Sequence, residues 1–291
     1  HPNTAARSLA SPVLRTVGVL FRRQRSTIDA NDLGYVDGVR RALEPSGIQV
    51  VIPIVKSSAP LIELRSLVRS GALGGVILMD VAQGDEREAM LLKEGIPTVL
   101  IGSSGSSGGA LGVDTDFGQM ARAAVDHLAG LGHRRVVALM RETASDDSHA
   151  RQDQARELLR AAGALAVDVL VRQVPELALA GGDIVGADGL VDGRTAVISN
   201  NPAALVGLAC AAQAHGLSIP ADLSVLTLGV TEYRGRHGEA FSELSVDREA
   251  MGEAVGSLLL TRLRGEPAPV EHRTLMPAVL TDHGSTARCR D

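Results

Sequence analysis

Residues 112–140, GVDTDFGQMARAAVDHLAGLGHRRVVALM, decide the fold. Apolar side chains within 117–131 recur at i, i+3, i+4 and i+7, which predicts an amphipathic helix. The side chains of residues 114–116 are candidate N-caps, and Gly132 is a candidate left-handed stop. Residues 136–140 form a continuous apolar run, which is typical of a strand covered on both faces. This order of capped helix and buried strand indicates an α/β domain.

Length and composition favour two lobes. The chain has 291 residues, of which 45% are hydrophobic and only 2% aromatic, so Ala, Val and Leu must fill the cores. No apolar run approaches the ~18 residues of a membrane span, and the first residues lack the apolar core of a signal peptide. Two cysteines suit a reducing cytoplasm. A net charge of -5 argues against strong nucleic-acid binding by these residues alone.

Strand and helix patterns alternate along the chain, which indicates parallel sheets with right-handed crossovers. The predicted strands are residues 16–21, 48–55, 76–79, 98–101, 136–140, 167–171, 195–199, 223–228 and 273–280. The predicted helices are residues 33–43, 60–70, 85–94, 117–131, 149–162, 202–215 and 248–264. Residues 102–109, GSSGSSGG, predict a flexible loop after a strand, and 175–193 carry no clear pattern. The predicted fold class is α/β with two doubly wound lobes.

Six local motifs stand out in order along the chain: PNTAARSL (2–9), VGVL (17–20), the segment 112–139, GLSIPADLSVL (216–226), MGEAVGSLLLTRLRGEP (251–267) and HGST (283–286). Together, and in this order, they resemble motifs of LacI/GalR-type transcription regulators. The resemblance implies the periplasmic-binding-protein type I architecture, with a ligand cleft between the lobes. It also implies a hinge at 1–12, a first lobe of 13–116 plus 246–272, and a second lobe of 117–245 plus 273–291.

The N-terminal motif resembles the family's DNA hinge helix, with Asn3, Ala6 and Leu9 at its contact positions. Leu9 matches the leucine that wedges into the minor groove, which is favourable when a dimer pairs two hinges. The alternative is that residues 1–12 are a disordered tail. The resemblance implies a homodimer that binds operator DNA through a helix-turn-helix head missing upstream of His1.

The resemblance, together with the rule that ligands lie beyond the carboxyl ends of parallel strands, gives the candidate ligand contacts. They are Asp29, Met79, Asp80, Gly102, Ser103, Arg151, Asn201, Gly229 and Arg248. Arg151 could grip hydroxyls or a carboxylate, and its alternative is a solvated helix residue. Asn201 matches the family's pocket asparagine, and its alternative is the helix cap before Pro202, although both roles could hold at once.

Several positions depart from the family pattern. Gly102, Pro202 and Gly229 stand where the family has acidic residues or a Gly-Phe-Asp turn, and residues 29–32 replace Asn-Pro-Phe-Phe. Losing carboxylates and an aromatic platform argues against a plain hexose. Arg22, Arg23 and Arg25 after the first strand could favour an anionic effector or be solvated surface, and the acidic pair 146–147 is predicted to be solvated.

We predict no catalysis and no metal or cofactor, because neither metal-ligand spacing of His and Cys nor a nucleophile motif is present. The predicted function is the effector-sensing and dimerisation core of a cytoplasmic LacI-type regulator, with a small polar effector and no membrane partner. The alternatives are a solute-binding protein of a transporter, which shares the fold, and a sugar-processing enzyme, which would need a carboxylate pair or metal cluster.

Overall fold

The computed structural model describes residues 16–22, 30–53, 60–143, 147, 152–175, 180–186, 189–229, 240–267, 269 and 271–290. These residues form two compact units. The first unit contains the described residues up to Asp114, together with Asp147 and Arg248–Met276. The second contains those within Thr115–Ser145, Ala150–Asp247 and Pro277–Asp291.

The first unit is built around a six-stranded sheet with the order β13-β5-β4-β3-β1-β2. Its elements are β1 (Thr16–Phe21), α1 (Ala30–Leu43), β2 (Gln49–Val51), α2 (Pro60–Arg69), β3 (Gly75–Met79), α3 (Glu86–Lys93), β4 (Thr98–Ile101), β5 (Leu111–Thr115), α7 (Arg248–Leu263) and β13 (Arg273–Met276). The pairings from β2 through β5 are all parallel.

Successive side chains of a strand point to opposite sides, so the sheet has two apolar faces, and helices cover both of them. Every residue of β3 is buried. Its Leu78 packs with Leu64 and Val68 of α2. On the other face, a Cβ at Gly75 would lie 3.2 Å from a methyl of Leu259 in α7.

Two glycines allow α1 and α7 to pack at close range. A Cβ at Gly38 would lie 2.1 Å from the carbonyl oxygen of Glu249, and one at Gly252 would lie 2.1 Å from that of Tyr35. No side chain fits at these distances, so glycine sets the spacing of the two helices.

The second unit repeats the same design, with the sheet order β14-β12-β11-β10-β6-β7. Its elements are α4 (Phe117–Gly130), β6 (Arg135–Arg141), α5 (Gln154–Ala164), β7 (Asp168–Val174), β8 (Val185–Gly186), β9 (Gly189–Leu190), β10 (Ala196–Ser199), α6 (Pro202–Ala214), β11 (Ser224–Leu228), β12 (Ser242–Ser245) and β14 (Val279–Thr281). The pairings from β7 through β12 are parallel, and β14 is antiparallel to β12. The predicted fold class is confirmed.

The segment that decides the fold behaves as predicted at most points. Of the three candidate caps, Asp116 caps α4 by accepting a hydrogen bond from the amide of Gln119 at 2.8 Å. Gly132 has a φ of 94°, and Arg134 donates to the carbonyl of Ala129, near the end of the helix, at 2.8 Å. The central residues of β6 are all buried.

His133 follows the end of α4 and lies in the core of the second unit, although a charged residue at that position would be expected beside the helix end. Its ring is 2% exposed, with Nδ1 2.8 Å from Thr195 Oγ1 and Nε2 3.0 Å from both Ser224 Oγ and the carbonyl oxygen of Ala287. Burial lowers the pKa of His133 and outweighs the hydrogen bond to Ala287, while the charge of His127 lowers it further. This histidine therefore joins the amino ends of the strands to the C-terminal segment.

The predicted strand 273–280 is wrong as a single element. The chain changes sheet at Pro277, so that Arg273–Met276 belongs to the first unit as β13 and Val279–Thr281 to the second as β14. The chain also changes unit after Asp114 and after Asp247. Within 175–193, where no element was predicted, the structure places short 3-10 turns and the β8–β9 hairpin.

Candidate functional site

The carboxyl ends of the parallel strands position the candidate ligand residues of the first unit. Met79 is the last residue of β3, and its side chain is only 4% exposed, so it packs inside the unit. Asp80 follows it, half-buried, with a φ of 50° in the left-handed region. A non-glycine residue held in that region is often found at functional sites.

A buried ion pair supports the loop after β3. Asp85, 4% exposed, accepts hydrogen bonds from the amides of Ala82 and Arg87, both at 3.0 Å. The guanidinium of Arg87 bonds the same carboxylate at 2.7 Å. Burial raises the pKa of Asp85, but the hydrogen bonds and charge of Arg87 outweigh it, so the pKa lies below its ordinary value.

The Gly/Ser-rich segment after β4 is anchored at defined points. The amide of Gly84 donates to the carbonyl of Ser104, which is 3% exposed, and the amide of Ala110 donates to Glu88 Oε1 at 2.6 Å. Ser103, half-buried, accepts a hydrogen bond from the amide of Gly105. The segment therefore holds Ser103 at the same edge of the sheet as Asp80.

The two glycines predicted as ligand contacts use their amides within the fold. Gly102 has a φ of 110°, and its amide donates to the carbonyl of Val113 at 2.8 Å. A Cβ there would lie 3.8 Å from Val81, which places the loops after β3 and β4 side by side. Gly229 has a φ of 65°, and its amide donates to Leu244 at 2.7 Å. At both positions φ is positive, a backbone conformation that glycine adopts without steric cost.

Two charged residues at this edge pair within the first unit. Arg22 forms an ion pair with Asp147, and Asp147 also forms an isolated β-bridge with Ala82. Asp147 is 8% exposed, so its predicted solvation is wrong, and Arg22 is held by a carboxylate.

Arg248 begins α7, with its guanidinium carbon 5.8 Å from the ring centroid of Tyr35. That distance fits a cation–π contact.

In the second unit, Asn201 is the N-cap of α6, the role given above as the alternative to a ligand contact. Its side chain is 0% exposed, accepts a hydrogen bond from the amide of Ala204 as the N-cap of α6, and donates to Pro175 at 3.0 Å. Pro202 fits the first turn because that position needs no amide hydrogen bond. The structure therefore shows the cap role, in a side chain that is closed to solvent.

Asn200, which the sequence did not single out, lies half-buried at the carboxyl end of β10. Its Oδ1 accepts a hydrogen bond from the amide of Arg141 at 2.6 Å, and its Nδ2 donates to Gln154 Oε1 at 2.8 Å. An amide nitrogen carries a second hydrogen and an amide oxygen a second lone pair. The Asn-Asn-Pro order was a usable signal, since a proline at the first helical position marks the residue before it as the cap.

The remaining predicted contacts lie outside the described residues. They are Asp29, Arg151 and the hinge positions Asn3, Ala6 and Leu9. Among the described residues, no group of three or more His, Cys, Asp or Glu side chains could hold a metal ion. None of the helices in the described ranges has the length and apolar character needed to cross a bilayer.

Comparison with known proteins places this geometry in a family. The model of the periplasmic binding protein-like domain matches residues 125–286. Catabolite control protein A of Staphylococcus xylosus is 24% identical over 98% of this chain and 86% of its own length.

Two solved structures share the fold. A LacI family transcriptional regulator from Bifidobacterium animalis superposes with a TM-score of 0.80 at 17% identity, covering 95% of this chain and 99% of that one. The LacI family regulator CCPA from Weissella paramesenteroides, solved with bound glucose, gives a TM-score of 0.75 at 18% identity, covering 94% and 98%. The chain belongs to the periplasmic binding protein-like domain family.

Proposed function

We propose that this chain is the effector-binding core of a LacI/GalR-type transcription regulator. A small polar molecule binds at the carboxyl ends of the strands and changes the affinity of the protein for operator DNA. The size of that change equals the difference in effector affinity between the two DNA-binding states. The observation that carries the proposal is the placement of Asp80, Ser103 and Asn200, half-buried polar side chains at carboxyl ends of parallel strands.

Each unit contributes its own polar side chains: Asp80 and Ser103 in the first and Asn200 in the second. Asp80 accepts hydrogen bonds from hydroxyl groups and takes over the role of the carboxylates that the family has where this chain has Gly102 and Gly229. Ser103 and Asn200 both donate and accept, which suits a molecule with several hydroxyls. Gly102 and Gly229 have no side chain and so leave space for a ligand, while their amides already donate to carbonyls of the protein.

The parts of the site that rest on the resemblance complete the proposal. Arg151 and Asp29 are proposed as further effector contacts, and Arg248 as a contact beside Tyr35. Asn3, Ala6 and Leu9 are proposed as hinge contacts to DNA in a homodimer that works in the cytoplasm.

The experiment combines a ligand screen with a DNA titration. A thermal-shift screen over glucose, oligosaccharides, sugar phosphates, nucleosides and amino acids identifies an effector, because a ligand at ~100 times its dissociation constant adds ~2.7 kcal/mol of stability. The operator affinity of the full gene product is then measured by fluorescence anisotropy with and without that ligand. Asp80→Ala should remove the effect of the ligand on DNA affinity, and Asp126→Ala, an exposed change on α4, should leave it intact.

Three results would argue against the proposal. Ligand binding without any change in DNA affinity would favour the solute-binding protein. Turnover of the ligand would favour an enzyme. Sedimentation of the full gene product as a monomer at micromolar concentration would contradict the homodimer.

A further inference from the structure

We infer that Arg87 is a positioning residue for the binding edge of the first unit, where it holds the left-handed Asp80 in place. The inference rests on the proposed function, because Asp80 is the carboxylate proposed to bind the effector. Arg87 lies in the first turn of α3 and is 8% exposed. Every described contact of the Arg87 guanidinium is to another group of the first unit. Any effect of Arg87 on ligand binding is therefore transmitted through those groups.

The guanidinium of Arg87 connects three elements. It donates to the carbonyl of Leu20 in β1 at 3.3 Å, and to the carbonyls of Met79 and Asp80 at 3.0 and 3.4 Å. It also bonds the carboxylate of Asp85, the N-cap of α3, through Nε at 3.0 Å and an NH2 group at 2.7 Å. One planar group therefore holds the ends of β1 and β3 against the start of α3.

The same carboxylate closes the loop that carries Asp80. Asp85 accepts from the amide of Ala82 at 3.0 Å, so the chain from Asp80 to Asp85 is held at both ends by the ion pair. A φ of 50° is costly for a residue with a side chain and persists only where surrounding contacts fix it. The carbonyl of Asp80 is one of those contacts.

The shape of arginine matters here as much as its charge. A guanidinium offers donors in a rigid fork, whereas a lysine ammonium is a compact charge that cannot reach carbonyls and carboxylate together. In Arg87→Lys the charge of Asp85 stays compensated while the bridge to the strand ends is lost. A purely charge-balancing role would be rescued by lysine, and a positioning role would not.

Glu88, the next residue of α3, provides a matched control. It is 2% exposed and holds the other loop of the binding edge, by accepting from the amide of Ala110 at 2.6 Å. Glu88→Met changes a side chain that is also buried and lies on the same helix, and it removes the oxygen that accepts from Ala110. It should release Ala110 without affecting the Asp80 loop.

The test measures amide hydrogen exchange at single residues by NMR in the wild type, Arg87→Lys, Arg87→Met and Glu88→Met. We expect the amide of Ala82 to exchange at least about tenfold faster in both Arg87 variants, with Ala110 unchanged. Glu88→Met, which removes the acceptor for the amide of Ala110, should show the reverse pattern. Wild-type exchange of Ala82 in Arg87→Lys would overturn the inference. If Arg87→Met does not fold, Arg87→Lys alone decides.

A second readout uses the compound that gives the largest thermal shift in the screen of glucose, oligosaccharides, sugar phosphates, nucleosides and amino acids. Arg87→Lys should weaken binding of that compound about as much as Asp80→Ala does, at an unfolding midpoint close to that of the wild type. Unchanged affinity for that compound in Arg87→Lys would also overturn the inference. If the wild type binds none of the screened compounds, the proposed function fails, while the exchange experiment still tests the role of Arg87.

Discussion

Replacing Asn201 by alanine should destabilise the second unit by about 1–3 kcal/mol. The variant loses the N-cap bond to the amide of Ala204. Ala204 is 0% exposed, so water cannot replace that bond, whereas the carbonyl of Pro175, which loses its 3.0 Å donor, belongs to an exposed residue. An unsatisfied buried polar group costs about 1–3 kcal/mol.

Asn200→Ala is the matched comparison, because the neighbouring asparagine is half-buried and water can replace its bond to the amide of Arg141. We expect this variant to lose about 1 kcal/mol or less but to weaken effector binding. Asn201→Ala should keep its effector affinity below its melting range. Urea unfolding followed by far-UV circular dichroism suits the measurement, since the chain has no Trp. The assignment of Asn201 as the buried cap of α6 would be refuted if Asn201→Ala lost less than about 1 kcal/mol of unfolding free energy. It would also be refuted if Asn200→Ala lost more than Asn201→Ala.

Three further predictions concern stability. Gly252→Ala should cost about 1–3 kcal/mol or more in urea unfolding, because its Cβ would lie 2.1 Å from a carbonyl oxygen of α1; Gly163→Ala, with no atom within 4 Å, should instead stabilise by about 0.5–1 kcal/mol. Asp116→Ala should cost about 1 kcal/mol by removing the cap of α4, whereas Asp153→Ala, at a helix start without a side-chain cap bond, should cost clearly less. Burial depresses the folded-state pKa of His133. The contribution of His133 to stability is therefore complete above an unfolded-state pKa of about 6.5 and is lost as the pH falls through the folded-state pKa. His133→Gln should remove that part of the acid dependence in thermal unfolding.

The fold was predictable wherever burial on both faces leaves a continuous apolar run. Residues 76–79 and 136–140 are such runs, and both lie in fully covered central strands. The pattern of residues 273–280 predicts one strand, because a chain that moves from one sheet to another keeps an ordinary strand pattern. The break at Pro277 depends on which sheet edges are open, and that is a property of the tertiary structure.

The site was predictable to the level of strand ends but not of individual side chains. Asn201 and Asn200 are adjacent, and the proline that follows them decides which one is the cap. Arg87 gave no signal, since in the sequence it reads as one more charged residue of a short surface helix. Its burial comes from the ends of β1 and β3, which are distant along the chain.

The most direct test of the central claim is a calorimetric titration of the effector found in the screen into the wild type, Asp80→Ala, Asn200→Ala and Asp126→Ala. We predict that Asp80→Ala and Asn200→Ala each weaken binding by about tenfold or more, because each removes a polar contact to the ligand. Asp126→Ala should bind like the wild type. Wild-type affinity in both Asp80→Ala and Asn200→Ala would contradict an effector site at the carboxyl ends of these sheets.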